Sequence, residues 1–257
     1  MLEQLENDFN AKIGSLKNKT NILHFSTGAD SVACFLKLRE NGIEPILVYK
    51  YFIKDLPMVK NYIDYFEKKF NVHVYQYPST LWAEQYQNAW FQNPVKGYDK
   101  YANKISMYCL DYYTKDRYDD IIADAVGGDV IFHLGIRYTD GLHRYLHLMK
   151  HGCSFGNKFY PIASFKVGDI YDLLDKYDCR LPIEYKMWGI SFESPRSFNI
   201  GYIRHECPET YKMLKEKMPL VGTLEYRDDY AKLNQHFKSR VTQFKRFAIE
   251  KEMYPTW

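Results

Sequence analysis

Long apolar runs, paired cysteines and a strong charge imbalance are all missing from this sequence of 257 residues. No stretch approaches the ~18–20 uninterrupted apolar residues of a membrane-spanning helix. The start, Met1-Leu2-Glu3-Gln4-Leu5-Glu6, is acidic and amphipathic, unlike an export signal, so a cytoplasmic protein without a membrane partner is expected. The five cysteines, Cys34, Cys109, Cys153, Cys179 and Cys207, are odd in number and scattered. None forms a Cys-x-x-Cys pair, which excludes a disulfide framework and a four-thiolate metal site and predicts reduced thiols. Lysine and arginine total 35 against 32 acids, a formal charge of +3 that forces no polyanionic partner and leaves nucleic acid open. Two phosphate-binding signatures are absent as well, Gly-x-x-x-x-Gly-Lys-Ser/Thr and Gly-x-Gly-x-x-Gly.

What is present is an alternation of strands and helices. Residues 3–18 place Leu5, Phe9, Ile13 and Leu16 on one stripe of an amphipathic helix. An apolar run ending in His24-Phe25 then gives way to Ser26-Thr27-Gly28-Ala29-Asp30-Ser31 and to apolar residues at helical spacing, which reads as strand, tight loop, helix. That helix is expected to stop at Asn41-Gly42. Residues 44–52 form a second strand, Pro57 opens a helix through Phe70, residues 71–77 form a third strand, and 80–92 a further helix. A helix from about Asp111 to Val126 ends at Gly127-Gly128 and precedes a strand at 130–136. Beyond 165 the pattern turns helical at 167–177, irregular from 181 to 201 and helical again from about 208. The reading is an α/β fold: a doubly wound, mainly parallel sheet at 21–165, preceded by a helix at 1–20 and followed by a mostly helical region at 166–257.

Ligands of such sheets bind beyond the carboxyl ends of the strands, where strand order reverses. That rule selects three loops, carrying residues 26–31, Lys54-Asp55 and residues 137–144. In the first, backbone N–H groups at a helix start would bind phosphate, Ser26, Thr27 and Ser31 would add hydroxyl donors, and Gly28 would let the backbone come close. The plainer reading is that Asp30 caps the helix and Gly28 turns the chain. Asp55 likewise has two readings: a partner for a ribose hydroxyl or magnesium, or a cap for the helix that Pro57 opens.

Residues 26–31 resemble the Ser-Gly-Gly-x-Asp-Ser loop of the PP-loop superfamily of adenine nucleotide enzymes. Ser26, Gly28, Asp30 and Ser31 match, and Thr27 stands where the family usually has its first glycine. Further segments are similar, in order, to its PAPS reductase-like branch: Asp55 and Pro57 at the second-strand exit; Lys104, Cys109 and Lys115 in "KISMYCLDYYTK"; Gly135, Arg137 and Arg144 in "GIRYTDGLHR", with Asp140 near the usual glutamate; and "FYPIASFKVGDIYDLLDKYDCRLP". The resemblance covers roughly residues 20–210. It implies a nucleotide held by Ser26, Thr27, Gly28, Asp30, Ser31, Asp55, Gly135 and Arg137, with Mg²⁺ on Asp30 and Asp55. It further implies Asp30, Arg137, Arg144 and Cys109 as the residues nearest the reaction.

Two reactions fit that branch. In adenylation, ATP is cleaved between its α and β phosphates and pyrophosphate leaves, with Arg137 and Arg144 as cationic clamps. Sulfur delivery to the acceptor would need a thiol, with Cys109 and Cys207 as candidates. Reduction of a sulfonucleotide, PAPS or APS, ranks lower, because no cysteine follows Cys207 and an iron–sulfur cluster needs clustered cysteines. A third reading is a nucleotide or nucleic-acid binding module, in which Lys238, Arg240, Lys245, Arg246 and Lys251 interleave with Phe237, Phe244 and Phe247. His143, His147 and His151, four apart on one helix face, are candidate zinc ligands, although a helix C-terminus also favours histidine. The acceptor, and whether the chain forms a homo-oligomer, stay open.

Overall fold

In the computed structural model, residues 2–79 and 115–226 are described. A six-stranded, mainly parallel sheet with helices on both sides organises them, so the chain is an α/β protein. The strands are β1 (Thr20–His24), β2 (Ile46–Tyr51), β3 (Val74–Pro78), β4 (Val130–His133), β5 (Ser154–Phe155) and β6 (Lys158–Phe159), in the spatial order β3-β2-β1-β4-β6-β5. Strands β1 and β2, β1 and β4, and β4 and β6 pair in parallel, while β5 and β6 form an antiparallel hairpin. Its turn holds Gly156 at φ +60°. The helices are α1 (Leu2–Ile13), α2 (Ala29–Glu40), α3 (Pro57–Phe70), α4 (Lys115–Val126), α5 (Leu142–His151), α6 (Val167–Lys176), α7 (Glu184–Met187), α8 (Ser197–Glu206) and α9 (Pro208–Lys217).

Several expected boundaries fall where local chemistry puts them. Helix α2 ends in a left-handed Gly42 at φ +74°, with Gly42 N–H donating to the Arg39 carbonyl and Ile43 N–H to that of Leu38. Ile43 and Leu38 are both buried, which completes the hydrophobic clasp of this helix ending. Pro57 starts α3, and α4 stops at Gly127 (φ +75°) and Gly128 (φ +83°). The helix expected at 80–92 lies outside the described residues. The stretch read as irregular, 181–201, contains α7 and the start of α8. The latter forms because Asn199 Oδ1 accepts the Arg196 N–H at 2.8 Å.

The described residues divide into two compact units: 2–49, 70–75 and 119–180 in the first, and 50–69, 76–79, 115–118 and 181–226 in the second. In the first, successive residues of β4 face opposite ways. Ile131 joins a buried cluster with Leu5, Phe9, Ile13, Leu38, Leu148 and Phe159, under α1. Phe132 stacks on His24, which pairs with Asp119 of α4. Phe9 meets Phe159 with ring centres 5.8 Å apart and lies under the Lys37 ammonium. Truncating Phe9 to alanine is expected to cost about 3–5 kcal/mol, read from urea unfolding.

The second unit is joined by the Met58 N–H donating to Thr210 Oγ1 at 3.1 Å, an edge contact of Phe52 with Phe192, and an ion pair of Arg204 with Glu225 at 2.6 Å. At its centre Glu184 is fully buried. Neither carboxyl oxygen is hydrogen-bonded, although the amides of Glu184 and Phe192 lie near enough to favour the charged form slightly. Burial dominates and pushes the carboxyl from 4.5 up to about 7. The native chain therefore keeps this proton to about pH 7, whereas the unfolded chain releases it near 4.5. The stability held by the neutral acid is complete below about 4.5 and is lost as pH rises through about 7. Urea unfolding across this window is expected to show the decline, and Glu184→Gln to flatten it.

Candidate functional site

Chain order reverses between β1 and β4, the central neighbours of the sheet. A crevice at the carboxyl ends of two such strands is where α/β sheets take ligands. Two loops meet there, the one from Phe25 to α2 and the one leaving β4 at Leu134. Both belong to the first unit.

The first loop is a hydroxyl-stitched turn. Ser31 Oγ accepts the Ser26 N–H at 3.2 Å, lies 3.2 Å from Ser26 Oγ and donates to the Gly28 carbonyl at 2.8 Å. It thus ties both ends of the loop together. Thr27 is buried and left-handed at φ +62°, and its Oγ1 donates to the Ser26 carbonyl at 2.6 Å. A branched residue in that conformation is strained by roughly 1–3 kcal/mol. The departure from glycine at this place thus falls where glycine would be relaxed. Gly28 is the residue before α2, in extended conformation at φ −77°, and no side chain caps the helix. The plainer reading of Asp30 as a cap is therefore not what the structure shows. Asp30 sits in the first turn, where the helix dipole favours a carboxylate, and points elsewhere.

It points to Arg137. That guanidinium is only 3% exposed and lies between two carboxylates: Nε stands 2.8 Å from Asp30 Oδ1, and Nη2 2.9 Å from Asp140 Oδ1. The Nε–H is not aimed along its line to Asp30, so that contact is an ion pair without hydrogen-bond alignment. Nη1 donates to Thr139 Oγ1 at 3.2 Å. The side chain of Asp140 is itself fully buried, accepts the Arg137 backbone N–H at 3.0 Å and pairs with Arg144 Nη1 at 2.6 Å. Arg144 remains 48% exposed. Gly135 lets the two loops touch: a Cβ there would lie 3.0 Å from Asp30 Cβ and 3.2 Å from its carbonyl carbon. The phenol of Tyr171 and the thiol of Cys34 lie within the field of this Asp30–Arg137 pair. Burial, the larger effect for each, raises their pKa values.

The structure thus brings together Ser26, Thr27, Gly28, Asp30, Ser31, Gly135, Arg137 and Arg144. Asp55 belongs to the second unit, exposed, left-handed at φ +58° and making no hydrogen bond among the described residues. Lys104, Cys109 and the basic residues 238–251 lie outside the described residues, as does the side chain of Lys115. Among the described residues Cys34, Cys153, Cys179 and Cys207 form no disulfide. Cys207 is raised to about 11, first by burial and then by Glu184 and Glu206. Among the same residues no group of three potential ligands is gathered for a metal ion, and no helix is long and apolar enough to cross a membrane.

Two features escaped the sequence reading. Asp140 holds both arginines, which the three- and four-residue spacings Arg137-Asp140 and Asp140-Arg144 would have suggested for a helical turn. His24, at the end of β1, has Nε2 3.0 Å from Asp119 Oδ1, and Lys158 stands 3.8 Å from the other oxygen of that carboxylate. No local pattern marks a pair 95 residues apart in sequence. Compared with known proteins, the chain matches no family model and no curated sequence.

The two arginines differ in what their loss would do. Removing Arg137 leaves the buried carboxylate of Asp140 without its one buried counter-charge among the described residues, and Arg137→Ala is expected to cost about 3–5 kcal/mol. Arg144→Ala is expected to cost less than about 1 kcal/mol, because Arg144 is half-exposed to screening water and the buried Asp140 keeps Arg137 as its counter-charge. Paired urea titrations of the two variants measure the difference.

Proposed function

We propose that the chain is an adenine nucleotide enzyme of PP-loop type, which cleaves ATP between the α and β phosphates, transfers the adenylyl group to an acceptor and releases pyrophosphate. One observation carries the reading: the hydroxyl-lined turn at residues 26–31 opens α2 at the strand-order reversal, where the exit of β4 packs onto it through Gly135. A helix start lined by serine hydroxyls is suited to phosphate, which would replace the loop's own bonds from the Ser26 and Gly28 N–H groups to serine hydroxyls.

In this reading the two arginines divide their work. Arg137, committed to Asp30 and Asp140, is a positioning residue that fixes the loop. Arg144 is the cation available to neutralise charge on the leaving pyrophosphate. Mg²⁺ would arrive with ATP. It usually keeps waters and takes one or two carboxylates besides the substrate phosphates, a demand that the partly exposed Asp30 can meet. The ion would supply charge neutralisation at the phosphates; the residues of the chain would hold and orient them.

Adenylation is preferred to sulfonucleotide reduction because the raised Cys207 thiol is poorly suited to attack sulfur. The test is a thermal-shift panel with ATP, APS and PAPS, each with Mg²⁺, coupled to assays for pyrophosphate and sulfite. ATP is expected to stabilise the protein and to yield pyrophosphate. Arg144→Ala should weaken ATP binding about tenfold at unchanged fold stability. Sulfite from PAPS or APS without pyrophosphate from ATP would replace the proposal with reduction. Salt-sensitive nucleic-acid binding without either product would replace it with the binding module.

A further inference from the structure

Helix α5 carries a cluster that the nucleotide reading does not use. His147 and His151 are four residues apart and half-buried, with ring centres 4.9 Å apart and ring planes at 43°. Phe155 of the β5–β6 hairpin flanks both, 5.6 Å from His147 and 4.3 Å from His151. Tyr160, just past β6, is buried, and its hydroxyl lies 2.9 Å from His147 Nε2. Tyr160 is itself held by its N–H donating to the Cys153 carbonyl at 2.8 Å.

That ring spacing suits a shared ion. With a metal–nitrogen bond of about 2.0–2.1 Å and a ring nitrogen about 1.2 Å from its ring centre, two imidazoles on one ion have centres about 4.6 Å apart at a right angle and about 5.2 Å apart at the tetrahedral angle. The observed spacing lies between the two. With His147 Nε2–H donating to the Tyr160 hydroxyl, Nδ1 keeps its lone pair for a metal. An outer hydrogen bond of this kind is what orients metal-binding histidines.

We propose that His147 and His151 form a two-imidazole site for a divalent transition ion, Zn²⁺, Ni²⁺ or Cu²⁺, with Tyr160 as the positioning residue. Among the described residues no third histidine, cysteine or carboxylate completes the set, so water fills the remaining positions and the ion is exchangeable. Affinity follows the usual order, Cu²⁺ tightest, and Mg²⁺ is refused because the site offers no oxygen ligands. His143, one turn earlier and exposed, is not a ligand. The site is independent of the nucleotide reading.

The test uses the untagged, metal-free full chain titrated with Ni²⁺, Zn²⁺ or Mg²⁺ alone, followed by melting temperature and by histidine ring NMR signals. Ni²⁺ and Zn²⁺ are expected to raise the melting temperature with one equivalent bound, and Mg²⁺ to leave it unchanged. The gain should vanish in His151→Ala and in His147→Gln, survive in His143→Ala, and need about tenfold more metal in Tyr160→Phe. Sub-stoichiometric Cu²⁺ should broaden the His147 and His151 signals of the unaltered chain first, a readout independent of any variant. Stabilisation that survives both ligand variants, its loss in His143→Ala, first broadening at other histidines, or no stabilisation of the unaltered chain would overturn the assignment.

Discussion

A buried arginine between two aspartates is the constraint on which the candidate site depends. Arg137 joins Asp30, in the first turn of α2, to Asp140, just beyond the exit of β4. Ion pairs in a poorly polarisable interior are not strong stabilisers in themselves, since desolvation offsets most of the attraction. They are exacting about geometry, because a displaced partner leaves an uncompensated buried charge. The loop at 26–31 and the loop after β4 are therefore held at one separation, and Gly135 supplies the closeness that this separation demands.

Much of the α/β alternation could be read along the chain, for reasons that differ from element to element. The ends of α2 and α4 follow from glycines that tolerate a left-handed turn, and the start of α3 follows from Pro57. Signals of this kind are local and survive any tertiary context. The β5–β6 hairpin was not foreseen, because strands of two residues show no periodicity. The short α7 was missed for a similar reason: one turn of helix carries no amphipathic repeat.

The site was half legible. A strand, a run of small polar residues and a helix mark the loop at 26–31 without reference to anything distant. The fate of Arg137 could not be read in the same way, since a guanidinium at a strand exit looks alike whether it faces water or is sealed between carboxylates. Burial depends on what the remaining chain packs over it. The same holds for His24, whose partner Asp119 comes from a helix far along the sequence, and for Glu184, whose raised pKa arises from burial rather than from any neighbour in the chain.

Thr27 gives the loop a mechanical character of its own. A branched side chain held at φ +62° keeps the main chain away from its resting shape, and a serine hydroxyl pins the bend from inside. The turn is thus pre-tensioned by folding, before anything arrives. In the nucleotide reading proposed above, a guest that fits would be spared the bending and one that requires a slacker curve would first have to break the Ser31 clasp, so the loop would select by stiffness as well as by chemistry.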